Sequence, residues 1–533
     1  MQTELVLTNG RFYTLDEHTP FVTAVAIGGG KILATGSNEE MLALQGQGER
    51  VNLQGRTVTP GLVDAHVHFQ NFALSLQRVN LHNTRSLDEA LQRIAAKTTQ
   101  APPSNGWLQG RGWSQDEWPG RRFPTAAHLD STTADRPAIL YDKSGHAAWV
   151  NGRALKIAGI TAQTTDPPGG HIQRAPTGQP TGILFEEAID LVARHVPRPT
   201  PHQIAEAMKS AQTYCWQVGL TGLHDFDGRD CFTALQMLHQ QGQLALRVVK
   251  NIPVYRLAHA IGIGLRTGFG DDWLRIGGVK MFADGALGPR TAAMIAPYEN
   301  DPENFGIVVT DKEEMMTKAS EASAHGLSVT IHAIGDRANH DVLDVYAALR
   351  EEEKQRQAPM LRHRIEHVQL LHPGDLHRLA TLNVVASMQP IHATSDMVMA
   401  ADYWGSRTRF AYAWRTMLDS GAMLAFGSDA PVEPIDPMLG LYAAVTRRRP
   451  DGTPGPEGWH PEQKLTMAEA VRAFTWGTAV TAGQAHLSGT ITPGKFADLT
   501  IYSQDIFTIS PDDLPNTTIA GTVVGGVFRH RTW

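Results

Sequence analysis

From Gly219 onward the chain alternates short apolar runs with helical patterns, and this alternation restricts the fold more than any other feature of the sequence. The runs are Gly219–Asp225, Ala245–Asn251, Ile276–Phe282, Ser328–His332, His363–His367, Val384–Met388 and Leu424–Asp429. Each has strand length and most are rich in apolar residues, the mark of a strand buried on both faces. Helical patterns fall between most of them. Glu313 to Ala324 opens after Asp311, a helix N-cap residue, and His340 to Glu353 is a second example. An earlier run, Leu62 to Ala65, follows the Pro60-Gly61 punctuation and brings the number of strands to eight. Eight alternating units predict an α/β protein built on a parallel (β/α)8 TIM barrel.

The two ends read differently. Residues 4–58 carry short strands: two flank the Asn9-Gly10 turn signal, a hairpin surrounds the glycines at 28–30, and Val51 to Leu53 forms the last. So few short strands fold poorly alone. Gly489 to Tyr502 reads as a turn and strand, and Thr522 to Arg529 as a hairpin, so the termini are expected to pair into one small β-sandwich. The expected organisation is residues 1–58 and 485–533 as the sandwich, and 59–484 as the barrel. A large insertion at about 70–205, rich in Gly, Pro and Trp, falls between the first two barrel strands. Its tryptophans, Trp107, Trp113 and Trp118 among them, suit either core packing or an apolar lid.

A length of 533 residues allows a large core, and 42% apolar with 19% charged residues is ordinary for a globular protein. A net charge of -7 spread over this length argues against a nucleic-acid partner and favours no particular one; the small-molecule substrate expected here follows from the site residues below. The run Arg447-Arg448-Arg449 reads as a solvated loop and Glu351 to Lys354 as an exposed helix end. Cys215 and Cys231 read as free buried thiols of a reducing compartment. With neither a charged-then-apolar leader nor an apolar run of about 18 residues, no membrane association and a cytoplasmic location are expected. A homodimer is left open.

The first strand ends in His66-Val67-His68. Alternate residues of an extended segment point to one side, so both imidazoles can face one point, as half of a divalent metal site. Two hydrogen-bonded surface histidines would have the same spacing. In a barrel of this kind the chemistry sits at the C-terminal strand ends. There the fourth strand carries Lys280, the fifth ends in His332, the sixth in His367 and the eighth in Asp429. The histidines suit zinc or another borderline metal, and Asp429 can ligate through one oxygen while taking a proton through the other. Lys280 fits only if buried in an ion pair or carbamylated to an anionic bridge.

The ordered set His66-x-His68, Lys280, His332, His367, Asp429 resembles the amidohydrolase superfamily. Thr59-Pro-Gly-Leu-Val-Asp-Ala-His-Val-His is similar to its opening signature, and Gly494-Lys-Phe-Ala-Asp-Leu to its closing one. Four further motifs resemble amidohydrolase family 3, the branch containing N-substituted formamide deformylases. They are Ser144-Gly-His-Ala-Ala-Trp-Val-Asn, Val279-Lys-Met-Phe-Ala-Asp-Gly-Ala-Leu-Gly-Pro-Arg-Thr-Ala, Ile331-His-Ala-Ile-Gly-Asp-Arg-Ala and Arg364-Ile-Glu-His-Val-Gln. The resemblance implies a zinc-type hydrolase with one or two ions. His66, His68 and Asp429 would hold one, His332 and His367 the second, with carbamylated Lys280 as the bridge. It also implies attack of metal-bound hydroxide on an amide or formamide carbonyl, Asp429 acting as general base and then acid.

Four more residues are candidates for substrate contact: His146 in the insertion, His224 at the end of the second strand, Arg290 after the fourth, and His392 in Gln389-Pro-Ile-His. A structural pair of Arg290 with Asp284 is the competing role for that arginine, and Asp336 and Arg337 read as a pair or as helix caps. Deamination or ester hydrolysis at the same centre is the alternative chemistry. A catalytically retired binding protein is the alternative class, and such a protein would be expected to have lost ligands that this chain keeps.

Overall fold

The computed structural model describes residues 2–99, 106–142 and 146–533. Two compact units are present: residues 1–71 with 209–533, and residues 72–208.

The first unit contains the barrel. Its eight strands are β1 (Leu62–Val67), β2 (Leu220–Asp225), β3 (Arg247–Pro253), β4 (Leu274–Phe282), β5 (Val329–Ala333), β6 (Arg364–His367), β7 (Val385–Met388) and β8 (Leu424–Phe426). Each is hydrogen-bonded to its sequence neighbour in one parallel sheet. The sheet closes just beyond β8, where Val67 bridges Ala430 in parallel and the His68 amide donates to the Ala430 carbonyl at 2.9 Å. The helices that cover it include α1 (Arg229–Gln240), α2 (Lys312–Ala324), α3 (Asp336–Gln355), α4 (Pro390–Trp404) and α5 (Pro437–Thr446). Asp311 caps α2, its Oδ1 accepting from the Glu314 amide at 2.8 Å. Helix α3 starts four residues before the apolar periodicity does. Asp336 anchors that first turn by accepting from the Ile295 and Arg337 amides at 2.8 and 3.0 Å. Arg337 instead reaches Asp341, at 3.8 Å.

The termini form the sandwich. Thr57–Pro60 runs antiparallel to Leu499–Tyr502, joining N-terminal and C-terminal strands in a six-stranded sheet. A four-stranded sheet made only from the N-terminus completes it. Leu5, Phe12, Ile27, Val58, Leu499, Ile501 and Val523 fill the core of this part. One expectation is corrected here: the strands flanking Asn9-Gly10 do not pair. Leu5–Thr8 lies in the smaller sheet and Arg11–Tyr13 in the larger. Asn9, at a φ of 53°, turns the chain from one sheet to the other.

Two charge readings are also corrected. Arg447 is 0% exposed; its guanidinium donates to the Tyr412 and Trp459 carbonyls and stacks on Trp414 and Trp459. Glu353 is buried, accepting from Ser323, Arg350 and His363. Cys215 and Cys231 are free and buried. No helix among the described residues is long and apolar enough to cross a membrane.

The second unit is built on a six-stranded mixed sheet, from Val79–Asn80 at one edge to Gly170–Arg174 at the other. Trp113, Trp118 and Trp149 pack edge-on or tilted with centroids 6.2 to 6.4 Å apart. Their indole N–H groups donate to the Leu140, Thr84 and Thr125 carbonyls. These tryptophans, with buried Trp107, are core. Ser144 and Gly145 of the motif around His146 lie outside the described residues.

Candidate metal centre

The seam that closes the barrel builds the site. The Asp429 amide donates to the His66 carbonyl at 2.7 Å, which brings the segment after β8 against the end of β1. Asp64 locks the same seam, accepting from the Ser428 amide and hydroxyl at 3.0 and 2.5 Å. Asp429 itself holds a φ of 62° and His367 one of 75°, a backbone region costly for residues other than glycine and seen where side chains must be aimed.

Hydrogen bonds from behind set the orientation of each imidazole. Glu366 Oε2 lies 2.6 Å from His66 Nδ1, and Asp227 Oδ1 lies 3.0 Å from His68 Nδ1. A carboxylate only accepts, so both Nδ1 atoms carry the proton and both Nε2 atoms keep a lone pair. Each Nε2 lies 3.6 Å from Asp429 Oδ1, which has no hydrogen-bond partner. Three acceptors thus converge with no donor between them, an arrangement that suits a cation. Without one, a proton is the substitute. Burial pushes His68 down, but Asp227, Asp429 and Asp225 outweigh it and hold this imidazole above its ordinary range. His66 is pushed well down, by burial first and then by Lys280. Burial also raises the Asp429 carboxyl, to about 6, against the pull of His68 and Lys280.

A second acceptor set adjoins the first. His367 Nδ1 faces Gln389 Oε1 at 2.8 Å, and ligand atoms of His367, His392 and Asp429 lie within 4.8 Å of one another. His392 Nε2 is unpartnered and 3.8 Å from Asp429 Oδ2. The His332 ring lies 4.6 Å from that of His367. Its Nε2 donates to the Gly285 carbonyl at 2.8 Å, leaving Nδ1 as its acceptor. Lys280 is 4% exposed, between the rings of Phe226 and Phe282, and its Nζ has no hydrogen-bond partner. Burial lowers this amine to about 8, so a neutral, nucleophilic form is accessible.

His66, His68, Lys280, His332, His367, His392 and Asp429 all line one cavity of about 430 Å³. Two other candidates of the same unit do not. His224 is buried, with Nδ1 accepting from Arg364 at 3.0 Å. The residue that meets the cluster from beyond β2 is Asp227, which follows the strand and bonds His68. Arg290 is paired with Asp301 at 3.6 Å and stacks on Tyr403. Its alternative partner Asp284 is instead consumed by the Ala293, Ile334 and Gly335 amides. His146 belongs to the second unit, where its side chain is 71% exposed and bonded to Glu186 at 2.9 Å.

Sequence reasoning passed over the carboxylates behind the ligands. Glu366 is 0% exposed, also accepts from Thr330 at 2.6 Å and forms an ion pair with Arg364 at 2.7 Å. Two charged residues in a strand otherwise fully buried, Arg364-Ile-Glu366, were the available signal. Asp225, Asp227 and Cys231 form a third tight group. That group already holds a cation: the Lys250 ammonium is 2.7 Å from Asp225. It therefore serves as backing for His68.

A model of the amidohydrolase family matches residues 49–530. "Protein LONG AFTER FAR-RED 3" of Arabidopsis thaliana is 34% identical over 98% of this chain and 91% of its own length. The N-substituted formamide deformylase of Arthrobacter pascens is 28% identical over 99% of this chain and 98% of its own. The crystal structure of an uncharacterized metal-dependent hydrolase from Pyrococcus horikoshii superposes with a TM-score of 0.77 at 29% identity, covering 95% of this chain and 99% of that one. With the match running through the sandwich, every barrel strand and the ligand-bearing strand ends, the chain belongs to the amidohydrolase family.

Proposed function

We propose that this metal-dependent hydrolase cleaves the C–N bond of a small amide, an N-substituted formamide being the favoured class. The reading rests on the position of Asp429. One oxygen faces two histidine lone pairs, the other lies 3.8 Å from His392, and all four residues line one cavity. The likeness to the formamide deformylase of Arthrobacter pascens supports the choice of bond.

In this reading His66, His68 and Asp429 hold one divalent ion, zinc being suited to such donors. His332, His367 and a carbamylated Lys280 offer a second position, for which His392 is a competing ligand. When bound, the ion supplies Lewis acidity, polarising the acyl oxygen and easing the deprotonation of water. Asp429 takes that proton, poised to do so by a carboxyl already raised by burial. It returns the proton to the nitrogen as the C–N bond breaks, so amide and water become carboxylic acid and amine. Glu366 and Asp227 keep the His66 and His68 rings in the tautomer that leaves Nε2 unprotonated. Phe282, Leu287 and Ile334 give the cavity an apolar wall for the acyl and amine substituents.

Asp429→Asn tests the assignment. Formate release from N-benzylformamide should fall on the order of 100- to 10,000-fold in a variant that still melts cooperatively. Undiminished release would remove Asp429 from the proton path. Release of ammonia or alcohol from ring-amine or ester substrates, with formamides untouched, would replace the bond assigned.

A further inference from the structure

We propose that the outer part of the catalytic cavity binds a protonated amine carried by the substrate, held between Asp396 and Glu433; this rests on the reading of the cavity as an amide-cleaving site. Helix α4 presents His392, Asp396 and Met399 to the cavity, a spacing of four and then three residues that lines one helix face. At ~1.5 Å per residue, Asp396 stands about 6 Å further out along the helix than His392. Val432 and Glu433, from the segment after Asp429, line the cavity as well.

Among the described residues lining the cavity, Lys280 of the ligand cluster is the one lysine or arginine, and helix α4 and the segment after Asp429 add acids. Asp396 Oδ2 takes the Tyr412 hydroxyl at 2.5 Å, and among the described residues Oδ1 accepts no hydrogen bond. Gln369 is 3% exposed and lines the same cavity, with its Oε1 lacking any partner. Arg449 is the nearby guanidinium. Its Nε and Nη2 donate to the Thr394 and Ser395 carbonyls at 2.8 and 3.0 Å, and it forms no ion pair with either acid. Burial raises both carboxyls, Asp396 to about 6, with Tyr412 and Arg449 offsetting part of it for Asp396, and Ser395 and Arg449 for Glu433. Two acids that form no ion pair among the described residues, lining one cavity with an orphaned amide oxygen, match an ammonium, which has donors only. The remaining wall, Phe282, Leu287, Ile334 and Met399, suits a short alkyl linker between that ammonium and the scissile bond.

Three formamides of equal length provide the test with the zinc-loaded protein: mono-N-formyl-1,5-diaminopentane, N-hexylformamide and N-(5-hydroxypentyl)formamide. The ammonium compound should be favoured in kcat/KM on the order of 10- to 100-fold over both neutral ones, the range of a hydrogen bond to a charged group. That preference should shrink with added salt and fall at least about tenfold in Asp396→Asn and in Glu433→Gln. Equal rates, a preference for the hydroxyl compound (which would mean one acid is protonated and donating) or a preference untouched by both variants would overturn the proposal. If no formamide is hydrolysed, the reading of the bond has failed and direct binding decides the subsite separately. Calorimetric titration should then show pentylammonium binding where pentan-1-ol does not, and weaker binding in Glu433→Gln; equal affinities, or none, would overturn it.

Discussion

Replacing Glu366 with glutamine should damage the site through a proton on a neighbouring ring. The carboxylate pairs with Arg364 Nε at 2.7 Å and accepts two hydrogen bonds, from Thr330 at that same oxygen and from His66 Nδ1 at the other. Burial raises this carboxyl, but Arg364, Lys280 and Thr330 outweigh it and keep Glu366 below its ordinary range, so the ionised form is native. Glutamine has one oxygen. If that oxygen stays on Arg364 and Thr330, the guanidinium remains bonded but loses its counter-charge. Deleting one partner of a buried pair costs about 3–5 kcal/mol; because the bonds persist, about 2–4 kcal/mol is expected here. At the other end the amide NH2 now faces His66 Nδ1 and can bond it only if that nitrogen accepts. The ring proton then moves to Nε2, toward Asp429 Oδ1 at 3.6 Å, and occupies the lone pair needed for coordination. Loss of such a backing carboxylate weakens metal binding by about 10- to 100-fold. Competition of the protein with a fluorescent chelator for zinc, beside urea unfolding of the metal-free protein, measures the two effects separately. Lower stability with unchanged zinc affinity would refute the tautomer argument, and neither change would refute both.

Lys280→Met removes a buried amine that has no partner, so the metal-free protein should unfold at no lower urea concentration than wild type while formamide turnover falls at least ~100-fold. Carbamylation predicts further that wild-type protein reconstituted with zinc in CO2-free buffer gains activity on adding bicarbonate. For Glu353, burial raises the carboxyl, but His363, Arg350 and Ser323 outweigh it and bring it to about 2 against an ordinary 4.5. A depressed carboxyl stabilises the fold above its unfolded value and loses that contribution as pH falls. Glu353→Gln should therefore cost up to about 3 kcal/mol at neutral pH, and urea midpoints of variant and wild type should converge as pH falls from 4.5 toward 2. Arg447→Ala leaves two carbonyls and a gap between two tryptophans, and should destabilise by about 2–4 kcal/mol; a loss under about 0.5 kcal/mol would show that the guanidinium is dispensable.

The barrel was legible because period and length act locally: a run such as Val329–Ala333 followed by a long amphipathic helix has few other solutions. The gathering of His66, His68, His332 and His367 with Lys280 and Asp429 around one cavity was legible because strand ends are where such a fold collects its chemistry. What stayed hidden depends on partners distant in sequence. Asn9-Gly10 has hairpin chemistry, yet nothing in those residues says that the next strand will leave for another sheet. Arg447 sits among prolines and glycines and reads as solvated until Trp414 and Trp459 close around it. His224 and Asp227 are three positions apart, and only barrel geometry decides that the aspartate meets His68 while the histidine meets Arg364. Glu366 shows the limit most clearly. Its neighbour His367 was found by type, whereas its own role appears only when β1, β5 and β6 are brought together.

The seam between the first and last strands has a consequence for how the protein is made. Asp64 and Ser428 are 364 residues apart in sequence, and the ligands they align come together only when that loop closes. Closing a loop of this length costs about 5 kcal/mol of chain entropy. The same closure completes the barrel and gathers His66, His68 and Asp429, so it is incurred once for both. In a nascent chain that has not yet emitted Asp429, His66 and His68 lack the third acceptor of their group, however much of the barrel has formed. Amide exchange at His68 and Asp429, two of the amides hydrogen-bonded across the seam, should slow on zinc binding more than exchange in the middle strands, making barrel closure itself the reporter of ion capture.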